Sequence, residues 1–324
     1  MSGENSSTPT SITLPWASDF HCHLRQGAMM ETVTPMGRPH GPAMPNLTPP
    51  LTTTQMAVDY GKKLQKLAPN VHFILTLYLN PALTPAEIPR LQQPVYPSGV
   101  TTNSDWGAMQ EANMVLCLHG ECPSDAAKGI CILNAEERFL ATLRELHQAF
   151  PKLRIVLEHA TTQAAVEHTV GCTITAHHLF IIIDDWAGHP HHFCKPVAKF
   201  PHDRDALRER PSALFPWLDS APHPRSAKQG EKPAAGVFTT PILIPLMATL
   251  FDKMECLDKL EGFISTYGRQ FYGLPEPIDG TITLVRLPLA VPAAYAVSGS
   301  ASDGETVVPF MASTEIGWSI AKTE

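Results

Sequence analysis

Residues 153–159 read Leu-Arg-Ile-Val-Leu-Glu-His, a short apolar run that ends in a carboxylate and an imidazole. A continuous run of this length suits a strand covered on both faces, as in a parallel sheet. The same pattern recurs at Met114–Leu118, which leads into His119-Gly120-Glu121, and at Cys172–Thr175, which leads into His177-His178. Residues 71–79 (VHFILTLYL) form a further β-rich run. Helical patterns fall between these runs. Asn134 and Glu137 have capping-box spacing, and Phe139, Leu140, Leu143, Leu146 and Phe150 make an apolar stripe. Residues 52–67 and 257–267 read as further helices. The alternation predicts an α/β protein, a (β/α)8 TIM barrel, in a single domain over residues 1–324. A doubly wound open sheet is the alternative, but no glycine-rich phosphate loop supports it. Residues 219–236 read as one long polar loop, and 280–305 as irregular.

Composition narrows the function. With 324 residues and 44% hydrophobic content the chain can bury a large core. A formal charge of −7 argues against a nucleic-acid-binding surface. No run of 18 apolar residues suggests a membrane span, and the polar N-terminus lacks a secretory pattern. The seven cysteines are odd in number and scattered, with no CxxC pair, which predicts reduced thiols and a cytoplasmic protein.

In a barrel, functional side chains gather at the C-terminal ends of the strands, where these histidines stand. The first of them lie in Asp19-Phe20-His21-Cys22-His23-Leu24-Arg25. Alternation along an extended strand puts His21 and His23 on one side, ~7 Å apart at the backbone, which suits two ligands of one divalent metal. Arg25 would set a fixed cation beside it for an anionic substrate. With His119, His159 and Asp219, the set makes a zinc-type hydrolytic site of imidazoles and one carboxylate. Asn46 and His223 lie in nearby motifs. Singly, each residue has a plainer reading: a hydrogen-bonded core histidine, or a turn at Asp219–His223.

Together the motifs resemble the dihydroorotases, in particular the shorter single-function enzymes of bacteria and fungi within the metal-dependent amidohydrolase superfamily. The matching stretches are DFHCHLRQG (19–27), MPNLTPPLTTT (44–54), YPSGVTTNS (96–104), LHGE (118–121), LEHATT (157–162), TITAHHLF (173–180), HFCKPVAK (192–199), DSAPHP (219–224), QFYGLP (270–275) and VVPFMA (307–312). The resemblance implies that His21 and His23 hold the more buried zinc, and His119 and His159 the second. It implies that Asp219 touches metal and acts as general base and acid. Arg25, Asn46 and His223 would hold the substrate α-carboxylate, Thr101 and Thr102 would sit on a loop that closes over it, and main-chain groups near Lys195 and Thr240 would add contacts. The implied reaction is the reversible closure of N-carbamoyl-L-aspartate to dihydroorotate in pyrimidine synthesis, by a homodimer. The related allantoinases and hydantoinases lack the TTNS loop and the DSAPHP string.

The chain departs from the family pattern at one decisive position. The family bridges its two zinc ions with a carboxylated lysine two residues before the tyrosine of the YP-x-x-x-TTNS loop, and here that position is Pro94. No lysine occurs between Lys66 and Lys128. Several strands also look short or broken. The lysine-bearing strand before Tyr96, the helix between Thr102 and His119, the strand before Met44 and the strand at Pro216 are expected to be missing or interrupted. A gene product lacking coding pieces, a binding protein without catalysis, and a working variant with one metal or a different bridge are the three readings of these departures.

Overall fold

The computed structural model describes residues 10–37, 41–80, 95–97, 103–167, 170–209, 215–216, 219–274, 280–299 and 304–323. The chain opens with β1 (Ser11–Pro15). Eight strands then follow: β2 (Gly41–Ala43), β3 (Phe73–Leu75), β4 (Leu77–Leu79), β5 (Val95–Pro97), β6 (Val115–His119), β7 (Arg154–Glu158), β8 (Gly171–Ile174) and β9 (Phe215–Pro216). Strands β4 to β9 form one parallel sheet in sequence order, and β2 pairs in parallel with β3. Cys22 makes parallel bridges to Ala43 on one side and Ser220 on the other. The Asp19–Arg25 segment therefore lies between β2 and the stretch that follows β9.

The core explains why the apolar runs are continuous. Val115, Cys117 and Val156 pack with Phe20 and Met44 in one cluster. Their neighbours Leu116, Leu118, Ile155 and Leu157 belong to the large main core. Alternate residues of Val115–Leu118 and Ile155–Leu157 thus face two different apolar environments, so both faces of these stretches are apolar. Phe20 is fully buried and stacks on Tyr272 with ring centroids 5.0 Å apart. Burying such a ring is worth about 2 kcal/mol and fixes the strand position of the residue after it, His21.

Helices cover the sheet where the apolar stripes predict. Helix Thr54–Leu67 is capped by Thr53, whose hydroxyl accepts from the Met56 N–H. Helix Ala135–Ala149 buries Leu140 and Leu143. Asn134 does not close a capping box there: its Oδ1 accepts from the Cys131 N–H, so it secures the preceding turn instead. Residues 257–272 form a 3-10 turn, a π-helical turn over Gly262–Thr266 and helix Tyr267–Tyr272. A second sheet, antiparallel, joins β1 to β10 (Thr281–Val285), and the far side of β10 pairs with the C-terminal strand Ser319–Thr323.

Several expectations need correction. The helix expected to be missing before His119 is present at Asn103–Glu111. Strands β2, β5 and β9 occupy the places where strands were expected to be lost, although each is only two or three residues long. Pro42, Pro97 and Pro216 lie in them, and a proline has no N–H to give a ladder. Run 71–79 is broken into β3 and β4 at Thr76, whose hydroxyl donates to the Ala43 carbonyl; β3 pairs with β2 and β4 with β5, in separate ladders. As a result, no uninterrupted closed eight-stranded ladder is present among the described residues. The polar stretch 219–236 is not one loop. It contains helix Arg225–Lys228, and buried Lys228 donates to the carbonyls of Phe193, Ala234 and Gly236 at 2.7–2.9 Å. The region 280–305 carries β10 and the short paired strands Leu289–Ala290 and Tyr295–Ala296.

Candidate functional site

Imidazoles from three separate segments meet at the C-terminal rim of the parallel sheet. His21 Nε2 lies 3.1 Å from His23 Nε2, and Asp219 Oδ1 lies 3.4 Å from the first and 3.1 Å from the second. Beside this group, His119 Nδ1 and His159 Nε2 approach to 3.1 Å. The rings of His21 and His159 are 5.6 Å apart at their centroids. Burial holds His21 near a pKa of about 4 and lowers His23 and His159 well below the histidine range. For His119 burial is outweighed by the Glu121 carboxylate, which raises that ring. The neutral nitrogens of His21, His23 and His159, packed against one another and against a carboxylate, form a lone-pair cluster suited to a divalent cation.

A carboxylate stands behind each histidine pair. Glu158 Oε1 lies 3.3 Å from His21 Nδ1, and Glu121 Oε2 lies 2.9 Å from His119 Nε2. In both cases the carboxylate faces the ring nitrogen that the cluster does not use. The Glu121 contact is a hydrogen bond that sets the His119 ring direction, while Glu158 stands within ion-pair distance of His21, where outer carboxylates stand at metal sites. Lys199 Nζ, 3.8 Å from Glu121, extends that side of the network.

The backbone is bent to deliver these groups. Arg25, His159 and Asp219 have φ of 62°, 41° and 37°, in the left-handed region that non-glycine residues rarely adopt. Local hydrogen bonds hold two of these turns. The Thr173 hydroxyl accepts from the His159 N–H at 2.8 Å. The Ser220 hydroxyl accepts from the N–H groups of Thr239 and Thr240 at 3.2 and 3.1 Å, next to Asp219. One turn farther on, the buried Glu136 carboxylate accepts from the N–H and hydroxyl groups of Thr161 and Thr162. It pins the LEHATT stretch behind His159.

His21, His23, His119, His159, Glu158 and Asp219 line a cavity of about 600 Å³, with Arg25, Asn46, Lys195 and His223 on its walls. Arg25 donates through Nε to the Pro222 carbonyl at 2.8 Å, and its Nη2 lies 2.8 Å from His223 Nε2. Burial and the Arg25 charge push His223 down to about 3, so its ring is neutral and Arg25 carries the positive charge. The Asn46 side chain hydrogen-bonds to His23. Gly236 passes close behind this wall. A Cβ there would lie 2.8 Å from Ala221 Cβ and 3.0 Å from His223 Cδ2, at a φ of +146°. A lone-pair cluster beside a guanidinium suits an anionic substrate whose carbonyl or carboxyl group is to be polarised.

No protein-family model matches the chain. It is 45% identical to the dihydroorotase of Mycosarcoma maydis, with 96% of this chain and 99% of that protein covered. The chain belongs to the dihydroorotase family. The dihydroorotase of Saccharomyces cerevisiae is 40% identical, over 95% of this chain and 98% of its own length. The crystal structure of the S. cerevisiae dihydroorotase in complex with 5-fluoroorotic acid has the same fold, with a TM-score of 0.87, 38% identity, and 96% and 98% of the two chains covered.

Dihydroorotase membership accounts for the motifs and sharpens the departures. The first of these alignments extends over 389 residues, more than the 324 of this chain, so the relative has residues where this one has gaps. His21, His23, His119, His159, Asp219, Arg25, Asn46 and His223 are brought to one cavity. Thr101, Thr102 and Pro94 lie outside the described residues. Glu158, Glu121 and Glu136 are the groups that sequence reasoning passed over. Glu158 is next to His159 and Glu121 two residues after His119, the only signal that could have flagged them. For Glu136, a helix residue 25 positions before its partner, there was none.

Proposed function

We propose that this protein catalyses the reversible cyclisation of N-carbamoyl-L-aspartate to (S)-dihydroorotate, a zinc-dependent step of pyrimidine biosynthesis. The observation that carries the reading is the convergence of His21, His23 and Asp219 beside Arg25 and His223 in one cavity. Membership of the dihydroorotase family and the conserved order of its motifs support the substrate. The five strand-end ligands also support a (β/α)8 barrel, with the Cys22 bridges at the first strand position and residues 1–324 as one domain.

The donor set fits zinc. His21, His23 and Asp219 are buried, place two imidazole nitrogens and a carboxylate oxygen within 4.8 Å of one another, and fit one ion. For a second ion, His119 Nδ1 and His159 Nε2 supply two donors. The place of the family's bridging lysine is taken by Pro94. When bound, zinc polarises the carboxyl or ring carbonyl under attack. Arg25, Asn46 and His223 hold the α-carboxylate, with the guanidinium as a bidentate anchor. Thr101 and Thr102 offer hydroxyl donors from the TTNS motif. In closure Asp219 takes the proton from the amide nitrogen as the C–N bond forms and passes it to the carboxyl oxygen, whose C–O bond breaks and which leaves as water. In ring opening it takes a proton from the attacking water as the C–O bond forms and hands it to the nitrogen as the C–N bond breaks. Burial raises the Asp219 carboxyl, opposed by His21, which makes it a stronger base than an exposed aspartate. The working form in this reading is a cytoplasmic homodimer.

The retained Arg25, Asp219 and His223 weigh against a binding protein without catalysis. The deciding measurement is metal content alongside ring closure by the purified chain. Zinc at one or more equivalents per chain, with turnover lost on His21→Ala, is expected. Folded, zinc-loaded protein that closes the ring no faster than a metal-stripped control would overturn the reading. Pro94→Lys then tests whether the second ion is limited by its missing bridge: zinc content should rise toward two per chain.

A further inference from the structure

We infer that the protein holds a second, structural metal site, built from His177, His178 and Cys194, for a zinc-like divalent cation. One ring nitrogen from each histidine and the Cys194 sulfur lie within 4.8 Å of one another, and all three residues are almost completely buried. They come from two elements: the 3-10 turn His177–Leu179 that follows β8, and the segment just after the turn Pro190–His192.

The observation that demands a ligand is His177. Its side chain is fully buried, yet neither Nδ1 nor Nε2 has a hydrogen-bond partner. A buried polar group without a partner costs roughly 1–3 kcal/mol, and native structures rarely tolerate one without a reason. Phenylalanine would fill such a place without that penalty. A cation on one ring nitrogen removes it.

Its neighbours are arranged as supporting ligands. His178 Nε2 lies 3.5 Å from Cys194 Sγ, while His178 Nδ1 lies 2.7 Å from the Thr175 hydroxyl. That hydroxyl is placed to accept Nδ1–H once Nε2 turns to a metal, the usual outer partner of a ligating histidine. The Pro196 carbonyl oxygen is 3.0 Å from His178 Nε2 and 3.2 Å from Cys194 Sγ, and adds an oxygen beside the cluster. Two imidazoles and one thiolate select borderline-soft cations of the zinc class over magnesium or calcium. Binding forms two metal–nitrogen bonds and one metal–sulfur bond, moves the His178 proton from Nε2 to Nδ1, and releases the Cys194 thiol proton to solvent.

The position gives the site a task. Lys195, next to Cys194, lines the substrate cavity, and His177 and His178 sit at the end of β8. A cation here would staple the cavity wall that carries Lys195 to the parallel sheet. The inference does not depend on the reaction proposed above, because the candidate catalytic cluster contains no sulfur ligand.

The test uses that sulfur. Metal-stripped protein is titrated with cobalt(II), and zinc-loaded protein is examined by X-ray absorption. Expected are a near-ultraviolet thiolate-to-cobalt charge-transfer band and a zinc–sulfur distance of about 2.3 Å. Both should persist in His21→Ala and vanish in Cys194→Ser. His177→Phe should weaken cobalt binding at this site while keeping the fold. Absence of both sulfur signals in the unmodified, folded chain overturns the inference, whatever the variants do. So does a band that survives Cys194→Ser, since Cys117, which also lines the catalytic cavity, would then be the ligand.

Discussion

Glu158 and Asp219 grip His21 from opposite sides: Oε1 of the first lies 3.3 Å from Nδ1, and Oδ1 of the second 3.4 Å from Nε2. The ring is held between an outer carboxylate and an inner one that shares its target. Burial pushes the Glu158 carboxyl well above the usual range in the metal-free protein, and a cation on His21 would favour its charged form; Glu158→Gln keeps the shape and removes that charge. It should weaken metal binding about 10- to 100-fold, the usual size of an outer-partner loss. Competition against a coloured chelator measures this, and an unchanged affinity would show that Glu158 only fills space.

Asp219 carries strain as well as chemistry. Its φ of 37° is unfavourable for any side chain but easy for glycine. Asp219→Gly and Asp219→Ala both remove the carboxylate, so both should abolish turnover. They should differ in stability, with the glycine variant more stable by about 1 kcal/mol. Urea midpoints of the two metal-free variants decide it. Equal midpoints would mean that the turn is not strained.

Arg25 separates binding from chemistry. Its guanidinium is already placed by Pro222 and His223, leaving its remaining donors to the cavity. Arg25→Lys keeps the charge and loses the fork. An anchor that holds substrate and transition state alike should show KM rising by roughly 10- to 100-fold with a smaller change in kcat. A loss confined to kcat would place Arg25 at the reacting atoms instead.

The metal-free protein should be sensitive to acid. Burial holds His21 and His178 at about 4, below the 6.5 of an unfolded histidine. Above 6.5 both states are neutral and pH has no effect through these groups. Below it the unfolded chain binds protons that the folded chain refuses, so stability falls as pH drops from 6.5 toward 4. Near pH 5 each histidine removes about 2 kcal/mol. Denaturation midpoints at about pH 7 and pH 5 test the slope, and bound metal should flatten it at His21. A midpoint that does not move between the two would mean that these rings are charged or hydrated in the folded state.

Much of the site was legible in the chain because its spacing is local. His21 and His23 are two residues apart on one extended segment, so alternation aligns them, while Arg25 follows at a left-handed bend. The apolar runs before His119 and His159 announced strands, since a strand packed on both faces has no room for polar residues. The family motifs then linked these pieces to Asp219 and His223.

Other features depend on distant parts of the chain. The proline-bearing stretches before Met44, before Tyr96 and at Pro216 looked like losses, yet a short parallel strand forms at each place, because a neighbouring ladder can supply the pairing that local propensity opposes. The primary structure fixed which residues could bind metal, grip an anion and line a core, since those capacities belong to side chains. Folding alone decided that Glu158 backs His21, that Glu136 pins the LEHATT turn, and that His177 is buried with nothing to bond. Those relationships depend on separations of a few ångströms between residues far apart in sequence, a quantity that periodicity cannot encode.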